Sequence, residues 1–253
     1  MTQDIALLLE QEAARFNRPE FIADDPVQFA HKFDAIPDIE IASLLTAVIS
    51  WGNRKMILRD ADRMMSLMDH QPHRYVMERG YEDLDPSVNL HRTFFGRHFQ
   101  WLLRTLREVY ARHESLDNFA AANAVGDDSA PAWKLADLLG RIAVDVNHGE
   151  TCPQCIPTNL KTTALKRLNM ALRWFVRNDG IVDLGIWHSI RPAQLYVPLD
   201  VHVGNTARDL GLLTRKANDR RTVEELTARL RLLRPDDPAY FDFALFGIGV
   251  NNK

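Results

Sequence analysis

Lys-Arg-Leu-Asn-Met-Ala-Leu-Arg-Trp-Phe-Val-Arg, residues 166–177, is the stretch of sequence that decides the fold class. Its apolar residues recur every three or four positions, which predicts an amphipathic helix. With the residue that precedes the stretch, the apolar face consists of Leu165, Leu168, Leu172, Phe175 and Val176. The opposite face carries Lys166, Arg173 and Arg177. Such a basic stripe suits a helix that lies near phosphates, and a solvated cationic surface is the alternative interpretation.

The same helical period runs through most of the chain. It is clearest in a predicted buried helix with the apolar residues Ile41, Leu44, Leu45, Val48 and Ile49. Residues 51–53 then interrupt the pattern, and residues 120–131 are the best candidate for a loop or interdomain link. No segment alternates polar and apolar residues for long enough to predict a sheet, so we expect an all-α protein.

A carboxylate stands where an extended apolar segment gives way to a further predicted helix. Asp200 follows Leu199 and precedes a helical pattern over 201–210. Aspartate is a preferred N-cap residue, so capping is the simplest role for it. Lys166 and Asp200, 34 positions apart (200 − 166), are also a plausible pair of nucleophile and charge stabiliser if the fold brings them together.

The composition limits the classes of protein to consider. At 253 residues, 46% hydrophobic and 26% charged, the chain has the composition of an ordinary globular protein with a sizeable core. No apolar run approaches the roughly 18–20 residues that cross a bilayer, and the N-terminus does not resemble a signal peptide. We therefore expect a cytoplasmic protein without a membrane partner. A net charge of −3 leaves contact with nucleic acid to local basic clusters, one of which begins at Arg54.

Cys152 and Cys155 are the only cysteines of the sequence. Two thiolates make half of a four-cysteine zinc or iron–sulfur site, and no βαβ pattern of a thioredoxin-like redox protein surrounds them. An unreactive loop, an incidental disulfide and a metal or redox role stay open for this pair. His70 and His73 have no carboxylate partner at ligand spacing. We therefore expect no metal site.

Several blocks of the chain resemble the helix-hairpin-helix DNA glycosylase superfamily. Val197-Pro-Leu-Asp-Val-His-Val203 looks like the Val-Asp-x-His segment of that superfamily, and residues 41–55, 208–212 and 240–249 match further blocks in the same order and spacing. Residues 166–174 are similar to the lysine-bearing helix of archaeal 8-oxoguanine DNA glycosylases. The chain also resembles an uncharacterised bacterial family of unknown function.

The resemblance implies a fold and a reaction. The fold would be a single unit, 1–253, with a cleft between two helical lobes: approximately 30–130, and 131–253 together with 1–29. The reaction would be that of a DNA repair glycosylase with β-lyase activity, in which Lys166 forms a Schiff base with the sugar and Asp200 assists. Such an enzyme would lie in the cytoplasm with the nucleoid. A catalytically inactive nucleic-acid-binding protein of the same fold is the alternative.

The resemblance also implies how the chain would contact double-stranded DNA with a damaged or abasic site. Asn53 stands at the position of the wedge that fills the space left by the flipped base. The expected phosphate contacts are Arg54, Lys161, Arg173, Arg177 and His202. The candidates for stacking on the flipped base are Trp51, Trp187 and Phe243, with core packing as the alternative for each.

The chain departs from the superfamily at the hairpin. Members carry Leu-Pro-Gly-Val-Gly-x-Lys there, and the glycines let backbone amides approach a phosphate, whereas residues 161–165 contain no glycine. An offset alignment would bring Lys161 near the catalytic position, but the match of residues 170–174 favours Lys166. In many members four cysteines that hold an iron–sulfur cluster follow the position of Gly249. Only residues 250–253 follow it here, so no cofactor is expected.

Overall fold

A computed structural model describes residues 3–251 of the chain. The α-helices are α1 (Gln3–Phe16), α2 (Pro19–Ala23), α3 (Ile36–Val48), α4 (Arg54–Leu67), α5 (Pro72–Met77), α6 (Gly96–Tyr110), α7 (Leu116–Ala122), α8 (Pro131–Val146), α9 (Lys166–Val176), α10 (Val201–Asp209), α11 (Arg220–Arg231) and α12 (Asp242–Asn251). Short 3-10 segments lie at Pro26–Lys32, Gly80–Asp83, Val125–Asp127, Pro192–Gln194 and Pro238–Phe241. Two short strands, β1 (Asn89–His91) and β2 (Phe94–Phe95), pair antiparallel. The prediction of an all-α protein is confirmed, because this hairpin is a minor addition to a helical chain.

Helix α3 lies at the centre of the core. Every residue from Ile39 to Val48 is buried, which confirms the prediction of a strongly buried helix. The helix packs against the 26–32 segment, α5 and α9. A helix that is buried on all sides needs neighbours on all sides, and these elements cover it. Because these neighbours enclose α3, the turn that follows its end at Val48, residues 49–53, has a fixed position beside α9.

Helix α9 begins abruptly at Lys166. Leu165, the residue before it, has a φ of 47°, in the left-handed region that non-glycine residues seldom adopt. Its buried side chain holds this conformation in place, and the kink turns the chain directly into the helix. Helix α9 packs between α3 and α8. Lys166 thus stands at the helix N-terminus, at the edge of the core.

Helix α12 packs closely against α1 and α10. A Cβ atom at Gly247 would lie 2.1 Å from the ring of Phe16, and one at Gly249 would lie 2.8 Å from Oγ1 of Thr206. The two glycines therefore permit the close approach of three helices. This packing places the N-terminal end of α12, with Asp242 and Phe243, near the N-terminal end of α10.

The 120–131 segment is more ordered than the sequence pattern predicts. It contains the end of α7 and the Val125–Asp127 turn, and Ala120, Val125 and Ala130 are buried. The segment is thus a packed connection between two helices. Within residues 3–251, no helix is both long enough and apolar enough to cross a membrane.

Candidate active site

A cavity of about 930 Å³ opens where α3, α9, α10 and α12 meet. Its wall is formed by the end of α3 and the following turn, the 153–157 segment, and the N-terminal ends of α9, α10 and α12. Besides the hydroxyl residues Ser50, Thr105 and Thr163, the wall carries ionisable side chains of Asp25, Arg54, Lys166, Arg167, Arg173, Asp200, His202 and Asp242. A large, mostly apolar cavity with a few convergent charged groups is the usual form of a ligand site.

Lys166 and Asp200 meet on the wall of this cavity. The Lys166 Nζ lies 4.0 Å from Oδ2 of Asp200, with 25% of the lysine side chain and 36% of the aspartate side chain exposed. Asp200 also caps α10, because its Oδ1 accepts a hydrogen bond of 2.9 Å from the amide of Val203. The sequence predicts that Asp200 caps a helix and also that it acts as the charged partner of Lys166. Its two carboxylate oxygens allow it to be both at once.

Burial lowers the pKa of Lys166 below its ordinary value of 10.5. The negative charges of Asp200, Asp242 and Asp25 oppose this shift, and the positive charge of Arg167 adds to it. The net direction is downward because removing an ammonium ion from water is costly. A lysine with a lowered pKa has a larger fraction of neutral amine at neutral pH, and the neutral amine is the nucleophilic form.

Two more carboxylates, Asp25 and Asp242, line the same cavity. Burial raises the pKa of both, that of Asp242 to about 6, while Arg173 opposes the shift at Asp242. Asp25 accepts a hydrogen bond from the amide of Val27 at 3.1 Å and lies 3.8 Å from Arg54. The Lys166 amine therefore faces three aspartates. Asp200 is the one within ion-pair distance of it.

The turn that contains Trp51, residues 49–53, is fixed at the cavity by a hydrogen bond from a buried histidine. Buried His91 bridges the carboxylate of Asp60 (Nδ1–Oδ2, 2.7 Å) and the carbonyl of Trp51 (Nε2–O, 3.0 Å). Gly52 has a φ of +97°, so a glycine suits this turn. The guanidinium of Arg167 lies 4.6 Å from the centre of a Trp51 ring, as a cation–π pair on the cavity wall. The structure thus places Trp51 where a planar ligand could reach it.

Four of the expected DNA contacts are accessible, and two of them line the cavity. Arg54 lies over the ring of Phe246 at 4.8 Å on the cavity wall. His202 is exposed at the start of α10 and also lines the cavity. Lys161 is exposed beside Asn159, on a separate small pocket. Asn53 is exposed and caps α4 by accepting a bond of 3.3 Å from the amide of Met56.

The prediction that Arg173 and Arg177 form an exposed basic stripe is wrong. Both are buried: Arg173 pairs with Asp242 (2.5 Å) and Asp183 (3.3 Å), and Arg177 pairs with Asp183 and with Asp237 (2.8 Å). The physical reason is that α9 is covered on its polar side as well. Of the aspartates that neutralise the arginines, Asp183 comes from the segment that follows α9, and Asp237 and Asp242 come from segments about 60 to 70 residues away. These guanidiniums are occupied and cannot contact phosphates as surface groups do.

The other two stacking candidates are core residues. Trp187 is buried, stacks on Phe175 with ring centroids 5.0 Å apart, and donates its Nε1 hydrogen bond to Glu40 at 2.7 Å. It is not among the residues that line the cavity. The expectation that Trp187 stacks on a base is therefore not supported by its position. Phe243 is also fully buried, but it reaches the cavity wall beneath the guanidinium of Arg173 at 4.3 Å.

The sequence reasoning missed Asp25 and Asp242 as members of the site. Asp242 stands inside the apolar run 239–248, and a carboxylate in such a run signals a buried, paired group. Asp25 precedes Pro26, a pattern that indicates only a cap. Among residues 3–251, no group of three or more His, Cys, Asp or Glu side chains is arranged to hold a metal ion.

Comparison with known proteins places the chain by family alone. No curated protein and no solved structure matches it. A model of one protein family matches residues 25–251, nearly the whole chain, and that match includes every residue of the cavity named above. The chain therefore belongs to the family described as a protein of unknown function (DUF2400).

Proposed function

We propose that this protein is a DNA glycosylase with AP lyase activity, acting on a damaged base. The observation that carries the proposal is the meeting of the Lys166 Nζ and the Asp200 Oδ2 at 4.0 Å on the wall of a large cavity. The pair was selected from the sequence by residue type and by resemblance to the helix-hairpin-helix DNA glycosylases. Its closeness in space is an independent support, because 34 residues separate the two (200 − 166).

The chemistry assigns one role to each residue. The neutral amine of Lys166 attacks the sugar C1′ of a flipped nucleotide, the bond from C1′ to the base breaks, and the base leaves with the bonding electrons and a proton. The negative charge of Asp200 stabilises the positive charge that develops on the sugar, and Asp200 then takes the amine proton and passes it to the departing base. Opening of the sugar ring gives a Schiff base between C1′ and Nζ. Loss of a proton from C2′ then breaks the bond from C3′ to the phosphate oxygen.

The cavity has the size and lining that a flipped base needs. A volume of about 930 Å³ exceeds that of one nucleobase, and Trp51 offers an aromatic ring on the wall. We propose a two-lobed arrangement in which the lobes 30–130 and 131–253, the latter with 1–29, face each other across this cavity. In support, Trp51 and Arg54 come from the first range, and Lys166 and Asp200 come from the second.

Borohydride trapping tests the proposal. The protein is incubated with undamaged, abasic and lesion-bearing duplexes, and sodium borohydride reduces any Schiff base to a stable cross-link. We expect a cross-link to abasic DNA and to one or more lesions. We expect that Lys166→Ala abolishes it and that Lys161→Ala, at an exposed lysine, retains it.

Two outcomes would contradict this assignment. A cross-link that persists in Lys166→Ala and disappears in Lys161→Ala would move the nucleophile to Lys161. DNA binding without any cross-link or base release would instead support a catalytically inactive nucleic-acid-binding protein of the same fold.

A further inference from the structure

A pair of cysteines at the cavity, of which Cys155 lines the wall and Cys152 is buried, has no role in the proposed reaction. Cys152 and Cys155 are both free thiols, and their Sγ atoms lie 3.2 Å apart. The amides of Cys155 and Ile156 both donate to the carbonyl of Cys152, at 2.9 and 3.0 Å. This turn keeps the two sulfur atoms facing each other. Only a small movement would bring them to the length of a disulfide bond, about 2.0 Å.

The two thiols differ in their environments. The side-chain hydrogen bond between the two thiols lowers the pKa of Cys152, and the nearby amides and the charge of Arg97 add to this shift against the effect of burial. Burial raises the pKa of Cys155 well above its ordinary value. Such a pair has one sulfur that is stabilised as a thiolate and a second that stays protonated until the first has reacted.

The pair lies in the segment that closes one side of the cavity. Pro153, Cys155, Ile156 and Pro157 line it, and the carbonyl of Gln154 accepts a bond of 2.7 Å from Nη1 of Arg167. Arg167 in turn lies 4.6 Å over Trp51. A change in the 152–155 turn is therefore linked through two contacts to the aromatic side of the cavity.

We propose that Cys152 and Cys155 form a reversible dithiol–disulfide site, oxidised by hydrogen peroxide, beside the cavity that Cys155 lines. The Cys152 thiolate attacks one peroxide oxygen, the O–O bond breaks, and a sulfenic acid and hydroxide form. The Cys155 sulfur then attacks the Cys152 sulfur, the S–O bond breaks, and the oxygen leaves as water. In total, two thiols lose two electrons and two protons, and one peroxide becomes two waters. A dithiol reductant reverses the change.

A metal role for the pair has less support. Zinc and iron–sulfur clusters generally take four protein ligands at structural sites. In the part of the chain that the structure describes, no third His, Cys, Asp or Glu joins the two thiols in a metal-binding group.

Thiol counting on the full chain tests the proposal without DNA. The reduced protein is treated with stoichiometric hydrogen peroxide, denatured, alkylated with N-ethylmaleimide and weighed by mass spectrometry. We expect the loss of both alkylation sites, a mass lower by two hydrogen atoms, and full recovery with dithiothreitol. Two alkylatable thiols after this treatment, or separate conversion of each sulfur to sulfinic acid, would overturn the proposal.

Single variants identify the order of the two steps. In Cys155→Ser the sulfenic acid on Cys152 has no partner, so we expect dimedone to label it. In Cys152→Ser we expect Cys155 to resist the same dose of peroxide. The opposite labelling pattern would overturn the assigned roles.

Tryptophan emission tests the link to the cavity. Disulfide formation should change the emission of the wild-type protein, and the change should be lost in Trp51→Phe. If the disulfide forms and the emission of both proteins stays constant, the link through Gln154 and Arg167 is wrong. Because none of the three measurements uses a DNA substrate, failure here is distinct from failure of the glycosylase proposal.

Discussion

Asp200 holds two contacts that a single substitution can separate. One oxygen caps α10 at the Val203 amide, and the other lies 4.0 Å from Lys166. Asparagine caps a helix about as well as aspartate, since its side-chain oxygen accepts the same bond. What asparagine lacks is the negative charge.

We expect Asp200→Asn to melt as the wild-type protein does and to lose about 10²-fold or more in turnover, comparable to the loss of one electrostatic stabiliser. Differential scanning calorimetry and single-turnover cleavage of an abasic duplex measure the two effects. As a control, Asp200→Ala should lose both activity and about 1 kcal/mol of stability, because the cap is removed. Full activity in Asp200→Asn would leave the residue with capping alone.

At the scale of one helix, Asn53 has a structural role that the sequence reasoning did not assign to it. It caps α4 through the Met56 amide, and it is not among the residues that line the cavity, although its neighbours Gly52 and Arg54 are. We therefore expect Asn53→Ala to lower the free energy of unfolding by roughly 0.5–2 kcal/mol, the usual effect of removing a cap. Urea denaturation measures this change.

A matched variant separates the cap from a wedge. Asn53→Ser keeps a capping side chain but is too short to fill the space of a base. If Asn53 is a wedge, Asn53→Ser should fold as stably as the wild type and bind a lesion duplex more weakly. The weakening should be smaller on a mismatched lesion, which is already partly unstacked. Equal binding by both proteins would exclude the wedge.

Helix α3 carries a buried carboxylate that joins four parts of the chain. Glu40 accepts hydrogen bonds from the Tyr110 hydroxyl (2.9 Å), the Leu116 and Asp117 amides (2.8 and 3.2 Å) and Trp187 Nε1 (2.7 Å). Burial nevertheless raises its pKa from the ordinary 4.5 to about 7, and these four bonds oppose the shift. The folded protein therefore binds a proton here over a pH range in which the unfolded chain has released it.

The sign of the pH dependence follows from this difference. Between pH 4.5 and 7 the folded state binds more protons at Glu40 than the unfolded state does, so stability falls as pH rises through this range. The full effect is on the order of 3 kcal/mol, from about 1.4 kcal/mol for each unit of pKa. We expect the difference in unfolding free energy between wild type and Glu40→Gln to change with pH in this direction. A pH-independent difference in urea titrations would contradict the raised pKa.

At the scale of the whole molecule, an ion-pair network joins α9 to the C-terminal part of the chain. Arg177 contacts Asp179, Asp183 and Asp237, and Arg173 contacts Asp183 and Asp242. Removing one partner from such a network leaves a buried, uncompensated charge. We expect Arg177→Ala to lower the free energy of unfolding by about 3–5 kcal/mol, as measured by chemical denaturation. Arg177→Lys keeps the positive charge, so we expect it to lower the free energy of unfolding by less.

The salt dependence of DNA binding should distinguish the exposed Lys161 from the buried Arg177. Lys161 is exposed, so Lys161→Ala should leave stability nearly unchanged and, if Lys161 contacts a phosphate, reduce the slope of log K against log salt by about 0.9. Arg177→Gln, which removes the charge, should leave the slope of any folded fraction unchanged because the side chain is buried. A slope reduced by about 0.9 in Arg177→Gln would indicate that Arg177 contacts a phosphate despite its position.

The helices were predictable from the sequence because their signals are local. The apolar period of Ile41 to Ile49 predicts α3, and that of residues 165–176 predicts α9, since both depend on neighbours three or four positions away. Lys166 and Asp200 could also be selected from local features, namely a lysine heading a basic stripe and a carboxylate ahead of a helix, together with resemblance to known blocks. The sequence by itself thus determined the class of fold and a short set of candidate residues.

Tertiary packing decided which candidates share a site and which are buried. A helical wheel places Arg173 and Arg177 opposite the apolar face, but it contains no information on Asp183, Asp237 or Asp242, which reach α9 from elsewhere in the chain. The same holds for Trp187, which donates a hydrogen bond in the core to Glu40, 147 positions away in the sequence. The distance between Lys166 and Asp200 is set in the same way. Residues distant in sequence meet only through the packing of complete elements, and a periodic pattern describes one element at a time.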